Sequence, residues 1–167
     1  STHCISSAAS DVYKRQLLMV LETIQDPGNL GTMIRTGEGA GITGVIMNNQ
    51  TVDIFNPKTI RATMGSIFRV PFVYVPDLAP VLEQMHAKGI HTYAAHLKGQ
   101  EYYDSFSFRE PTAFLIGNEG NGLSKEISDQ AGQYLKIPME GRVESLNASI
   151  AAALLMYEAH RQRSARL

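Results

Sequence analysis

The chain has 167 residues, 44% hydrophobic and 19% charged, which suffices for one domain with a buried core and excludes a disordered one. Its formal net charge of −1 excludes a polyanion-binding surface spread over the whole chain, so a nucleic-acid partner needs a local basic patch. A single cysteine, Cys4, excludes an intrachain disulfide and a cysteine zinc site, and no apolar run approaches the ~20 residues of a membrane span.

Ser1 to about Arg15 are small and polar, without the charged and apolar regions of a signal peptide. They read as a leader outside the fold, with one domain over 16–167 and the cytoplasm as the default compartment. Leu17–Leu21 is a short apolar run, the pattern of a strand buried on both faces in a parallel sheet. The turn-rich Glu22–Gly28 follows, and Asn29 is expected to cap a helix reaching about Ala40 and carrying Arg35. Gly31, Gly37 and Gly39 each cost that helix up to ~1 kcal/mol relative to Ala, so it should pack closely against something. Gly44–Asn48 reads as the second strand, and Asn56-Pro57-Lys58 opens a helix ending near Met64-Gly65. Val70–Val75 is the third strand, a helix runs from Asp77 or Leu78 through Lys88, and Ile90–Ala95 is the fourth strand.

Tyr102–Phe106 reads as a loop, Thr112–Ile116 as the fifth strand, and Ser124 as the cap of a short helix to about Gln130. Tyr134–Ile137 is the sixth strand, and the last helix spans about Leu146 to Gln162, with Ser145 and Asn147 at its start. Strands alternating with helices predict an α/β fold, an open and mostly parallel sheet of about six strands with helices on both faces. Ile150–Tyr157 is apolar on every side for two turns, which predicts cover on both sides. A homodimer partner is the economical candidate, ahead of a further domain.

Gly39-Ala-Gly41-Ile-Thr-Gly44 matches the dinucleotide pattern in letters, but it ends a helix and enters a strand, so a helix cap and turn explain it. Gly117-Asn118-Glu119-Gly120-Asn121-Gly122 lies between strand and helix, where open α/β sheets bind ligands. Leu123 at the lysine position excludes a Walker loop, and Glu119 would repel phosphate, so a ligand with hydroxyls or positive charge suits it better than a plain turn does. His86, His91 and His96 form no metal pattern, and no metal is expected. Arg161, Arg163 and Arg166 are either a local basic patch or a solvated helix end.

Three stretches, Asn29-Leu-Gly-Thr-Met-Ile-Arg35-Thr, Leu115-Ile-Gly117-Asn-Glu119-Gly-Asn-Gly-Leu and Ile137-Pro-Met139 through Ser145-Leu-Asn147-Ala-Ser, resemble in order and spacing the motifs of the SpoU (TrmH-type) RNA 2′-O-methyltransferases. The resemblance runs from about Leu17 to Arg163 and includes Asn56-Pro-Lys through Gly65. It implies the α/β knot of the SPOUT superfamily, with a C-terminal trefoil knot, an obligate homodimer and S-adenosylmethionine as cofactor. By the same resemblance the cofactor lies among Leu97, Gly117, Asn118, Gly120, Ile137, Met139 and Leu146. The methyl group then passes to a ribose 2′-hydroxyl of ribosomal or transfer RNA. The implied catalytic group is Arg35 with Asn29, Glu119, Ser145 and Asn147. The family role of Arg35 is that of base, but a guanidinium hardly gives up its proton, and clamping a phosphate or a developing alkoxide is physically easier. Many members carry an N-terminal RNA-binding domain, for which the leader is too short, so the expectation is a minimal enzyme or one whose RNA-binding domain lies outside this chain. A base methyltransferase of the same superfamily and a non-catalytic RNA-binding or assembly protein are the alternatives.

Overall fold

The structure, a computed structural model, describes residues 16–143 and 145–164. The expected leader, and Arg166 with it, lie outside those residues. Six strands form one sheet: β1 (Leu17–Leu21), β2 (Gly44–Asn48), β3 (Phe72–Val75), β4 (His91–Ala95), β5 (Thr112–Ile116) and β6 (Gln133–Leu135). The order is β3-β2-β1-β5-β4-β6 and every pairing is parallel. The described residues also form five α-helices: α1 (Pro27–Ala40), α2 (Pro57–Thr63), α3 (Ala79–Ala87), α4 (Lys125–Gln130) and, after the last strand, α5 (Ala148–Ser164).

Side chains alternate across the strands and build a core on each face. Met19, Leu21, Met47, Phe114 and Ile116 meet α1 through Leu30, Met33 and Ile34, and α5 through Ala152, Leu155 and Met156. Val20, Ala94, Ala113 and Leu115 face the other way, onto Leu82 and Met85 of α3 and Ile127 of α4. The central strands are therefore apolar throughout, as a sheet covered on both faces requires.

Several boundaries differ from expectation, four of them for a reason the structure shows. α1 begins at Pro27 and its cap is Asp26, whose carboxylate accepts the Asn29 backbone N–H at 2.8 Å, so Asn29 lies inside the first turn. β3 begins at Phe72, because Val70 still donates to Ser66 of a 3₁₀ turn at Ser66–Phe68 and Pro71 has no N–H to give. β6 ends at Leu135, where its neighbour β4 also ends, leaving Ile137 in the loop beyond. α5 begins at Ala148, not Leu146, and Asn147 caps it by accepting the backbone N–H of Ser149 at 2.8 Å. The stretch expected as loop at Tyr102–Phe106 holds a 3₁₀ turn at Tyr103–Ser105.

Gly31 explains why α1 tolerates so much glycine. A Cβ there would sit 2.5 Å from the Ala62 Cβ and 2.7 Å from the Thr59 carbonyl oxygen, so α1 and α2 touch backbone to backbone. Gly41 ends α1 in the left-handed region at φ 81°, the cap and turn expected of the Gly39–Gly44 stretch.

The all-round apolar α5 is covered on one side. Leu155, Met156 and Ala159 are buried, whereas Ile150, Leu154 and Tyr157 form an open stripe, 50, 37 and 48% exposed, along a groove of about 410 Å³. Its C-terminal arginines serve the fold. Arg161 pairs with Glu158 at 2.7 Å, and Arg163 donates to the carbonyl oxygens of Phe108, Glu110 and Gln16. The basic-patch reading of that helix end therefore loses two of its three residues. Among the described residues no helix is long and apolar enough to cross a membrane.

Candidate functional site

Chain order runs outward from β1 to β2 and β3, then resumes on the other side of β1 with β4, β5 and β6. The direction reverses between β1 and β5. A parallel sheet leaves a crevice at such a switch point, beyond the carboxyl ends of its strands. Two loops flank that crevice, Glu22–Asp26 after β1 and Gly117–Ser124 after β5.

Glu119 joins them. One of its carboxylate oxygens accepts the backbone N–H of Gln25 at 3.0 Å; the other accepts the backbone N–H of Asp26 at 3.0 Å and the Asn29 side-chain amide at 3.1 Å. Burial pushes the Glu119 carboxyl up, but these donors outweigh it and hold the group below its ordinary value, as a charged carboxylate. The other end of the Asn29 side chain, Oδ1, accepts the Asn147 amide at 3.0 Å. Asn147 Oδ1 in turn accepts from the Ser149 backbone N–H and hydroxyl at the head of α5. One continuous set of hydrogen bonds thus ties the β5 loop, the first turn of α1 and the cap of α5. Each amide has a donor facing an acceptor, so the orientation of both asparagines is fixed.

The β5 loop is rigid for two reasons. Asn118 and Gly122 exchange both backbone hydrogen bonds, at 3.0 and 2.8 Å, and Asn118 Oδ1 accepts from Gly120 N and Asn121 N. A Cβ on Gly117 would lie 2.1 Å from the Gly122 carbonyl carbon, so no side chain fits there. Asn118 Nδ2 also donates to the carbonyl oxygen of Thr23 at 2.9 Å. Thr23 is a β-branched residue held at φ 58°, an unfavourable conformation. The Asn48 side chain holds it there, accepting from its N–H at 2.7 Å and donating to its hydroxyl at 2.8 Å.

The residues expected around a cofactor follow three adjacent strands. Leu97 comes after β4, Gly117, Asn118 and Gly120 after β5, and Ile137 and Met139 after β6, with Leu146 just ahead of α5. Leu97 is exposed, and Ile137, Met139 and Leu146 are half-buried. Apolar side chains beside a tight glycine loop suit a ligand with a flat apolar body and hydroxyls. A larger groove of about 750 Å³, lined by His91, Tyr93, Lys98, Glu101 and Tyr134 among others, touches none of these residues.

Arg35 and Ser145 stand apart from the Glu119–Asn29–Asn147 set. Arg35 is exposed further along α1, and among the described residues it has no hydrogen-bond or ion-pair partner. Ser145 is exposed two residues before the α5 cap. The structure therefore brings together three of the five expected polar residues. Sequence reasoning passed over Asp26, Thr23 and Asn48. The Asp26-Pro27 pair was a readable signal, since Asp before Pro is the favoured cap and first position of a helix. Nothing local marks Thr23 or Asn48.

A fully parallel doubly wound sheet, with a glycine loop and a fixed polar set at its switch point, defines an α/β protein built to bind a ligand beyond the strand ends. Comparison with known proteins narrows the class. Residues 16–157 match the model of the SpoU rRNA Methylase family, and the chain belongs to that family. It is 37% identical over 140 residues to the 23S rRNA (guanosine(2553)-2'-O)-methyltransferase RlmP of Bacillus subtilis, covering 84% of this chain and 56% of that protein. Among solved structures, the AdoMet-bound rRNA methyltransferase from Sinorhizobium meliloti is 38% identical with a TM-score of 0.84, over 89% of this chain and 57% of that one. The SpoU methyltransferase AviRb from Streptomyces viridochromogenes, in complex with AdoMet, is 34% identical with a TM-score of 0.85, over 92% of this chain and 60% of that one. The chain thus spans a little over half the length of the curated relative.

Proposed function

We propose that this chain is the catalytic domain of an S-adenosylmethionine-dependent RNA methyltransferase that modifies a ribose 2′-hydroxyl of ribosomal or transfer RNA. One observation carries the reading: Asn29, Glu119 and Asn147, from three separated motifs, form one hydrogen-bonded set at the switch point of the sheet. The names of the 2'-O-methyltransferase and AdoMet-bound relatives support the reaction and the cofactor.

The bound cofactor supplies an electrophilic methyl group on a sulfonium. Gly117, Asn118 and Gly120 would hold the cofactor by backbone contact, with Leu97, Ile137, Met139 and Leu146 as apolar walls. Glu119 accepts its hydrogen bonds from Gln25, Asp26 and Asn29, so its role is to fix Asn29 and those N–H groups in place. Arg35, exposed on α1 beyond Asn29, grips the phosphate next to the target and stabilises negative charge on the 2′-oxygen, whose proton leaves to solvent. Ser145 sits at the edge of the site, available to the target nucleotide.

The proposal includes a homodimer that covers Ile150, Leu154 and Tyr157 of α5, since an open apolar stripe beside the site is what a second copy would bury. It also includes the implied knot. The chain leaves the edge strand β6, returns to the sheet centre and sets Asn147 against Asn29 from 118 positions away. Calorimetry with S-adenosylmethionine, followed by transfer of a tritiated methyl group to total RNA, tests the function. Binding with label in RNA supports it, and binding without label in any RNA removes it.

A further inference from the structure

Residues 55–69 hold Lys58, Arg61 and Arg69 and no acidic residue, interleaved with Phe55, Ile60, Met64 and Phe68. The end of this segment is shaped unusually. Met64 and Gly65 are both left-handed, at φ 49° and 87°, and they reverse the chain from α2 into the 3₁₀ turn. The reversal turns Ile67 inward and Phe68 outward. Phe68 is 84% exposed and Met64 69%, the two most exposed large apolar side chains among the described residues. A left-handed methionine is uncommon and needs surrounding structure to hold it.

The tip is clamped. The Ser66 hydroxyl donates to Glu38 of α1, and the Arg69 guanidinium donates to the same carboxylate, through Nη2 at 2.9 Å and also through Nε. Lys58, at the other end of α2, pairs with Asp26 at 3.4 Å beside the candidate site. The segment therefore runs alongside α1 from the site outward. Gly31, Arg35 and Glu38 lie on one stripe of α1; the first meets Ala62 and the last meets Ser66 and Arg69. Arg35 stands between them. By helix rise, Glu38 lies ~14 Å along α1 from Asn29.

We propose that this tip is a docking platform for an unpaired RNA nucleotide flanking the methylated one. Phe68 stacks on the base and Arg61 holds a flanking phosphate, in line with Arg35 and the site, while Arg69 stays on Glu38 and fixes the tip. The inference rests on the RNA reading above. An outward aromatic ring among cations is the arrangement that takes single-stranded nucleic acid, because every base has a face to stack while phosphates need positive charge. Asp26 and Glu38 occupy Lys58 and Arg69, but Arg61 on the segment and Arg35 beside it have no carboxylate partner among the described residues, which favours RNA over a second protein surface.

The test uses the full chain and a fluorescein-labelled single-stranded RNA of mixed sequence, read by anisotropy, with the same RNA in duplex form alongside. Phe68→Ala should weaken single-strand binding ~10-fold, and Phe68→Tyr, which keeps the ring, should restore it. Arg61→Gln should weaken binding and lower the slope of log affinity against log salt by about one, whereas Phe68→Ala leaves that slope unchanged. S-adenosylmethionine affinity and sedimentation should match wild type in all three. Wild-type affinity of Phe68→Ala for RNA overturns the platform and leaves the RNA reading standing. A changed sedimentation coefficient in Phe68→Ala also overturns it, because a second copy then covers Phe68. If the unsubstituted chain binds neither RNA form, the platform and the RNA reading fall together.

Discussion

Arg35 is the residue on which the proposed chemistry turns, and its surroundings suggest how to isolate its role. It is exposed and unpaired among the described residues, so removing it disturbs no internal bond. Arg35→Ala should abolish methyl transfer while leaving cofactor affinity within a few-fold of wild type by calorimetry. Full activity would remove the assignment, and lost cofactor binding would place Arg35 at the cofactor instead. Glu119 makes a different prediction. Its carboxyl is held below its ordinary 4.5 because the charged form accepts three hydrogen bonds. A lowered folded value means its stabilisation is complete above about 4.5 and is lost as pH falls through the folded value. The difference in Tm between wild type and Glu119→Gln should therefore shrink as the solution is acidified below that point, and a constant difference would contradict it. Asn29, Glu119 and Asn147 were each legible as motif residues. That they bond to one another was not, since 90 and 118 positions separate the pairs and only the sheet order brings them together.

At the scale of elements, the start of α5 couples stability to the site. Asn147 uses its oxygen to cap the helix and its amide to hold Asn29. Asn147→Ala should lower unfolding stability by ~0.5–2 kcal/mol, the cost of a lost cap, and reduce methyl transfer as well. Asn147→Asp keeps the capping oxygen and loses the amide donor, so denaturant unfolding should stay near wild type while methyl transfer still falls. Equal loss of stability in both variants would contradict the division of labour. The strands were readable because runs such as Leu17–Leu21 and Thr112–Ile116 are apolar on both faces. Element ends were less so. Asn29 is a good capping residue, but Asp26 followed by Pro27 is better and won. The apolar pattern of Val70–Val75 extends past the point where Val70 stays bonded to Ser66 and Pro71 begins the strand's approach.

For the whole molecule, one sheet face is finished by α3 and α4, while the other leaves Ile150, Leu154 and Tyr157 of α5 open. If a second copy covers that stripe, Leu154→Glu places a charge in the interface and should give a monomer by sedimentation velocity, where the unsubstituted chain sediments as a dimer. A monomeric unsubstituted chain would contradict the dimer. The alternation of strands and helices made the α/β class legible, but periodicity carries no information on strand order, and therefore none on where the switch point falls. The glycine loop marked the carboxyl end of β5 by itself, and only the family resemblance joined the ends of β1, β4 and β6 to it as one site. The proposed reaction is defined by the atom that receives the methyl group. RNA labelled by the full chain with tritiated S-adenosylmethionine, digested to nucleosides and separated, decides it directly. The label should travel with 2′-O-methylated nucleosides and disappear with Arg35→Ala. Label on a base-methylated nucleoside, or label in RNA that persists in the Arg35 variant, would contradict it.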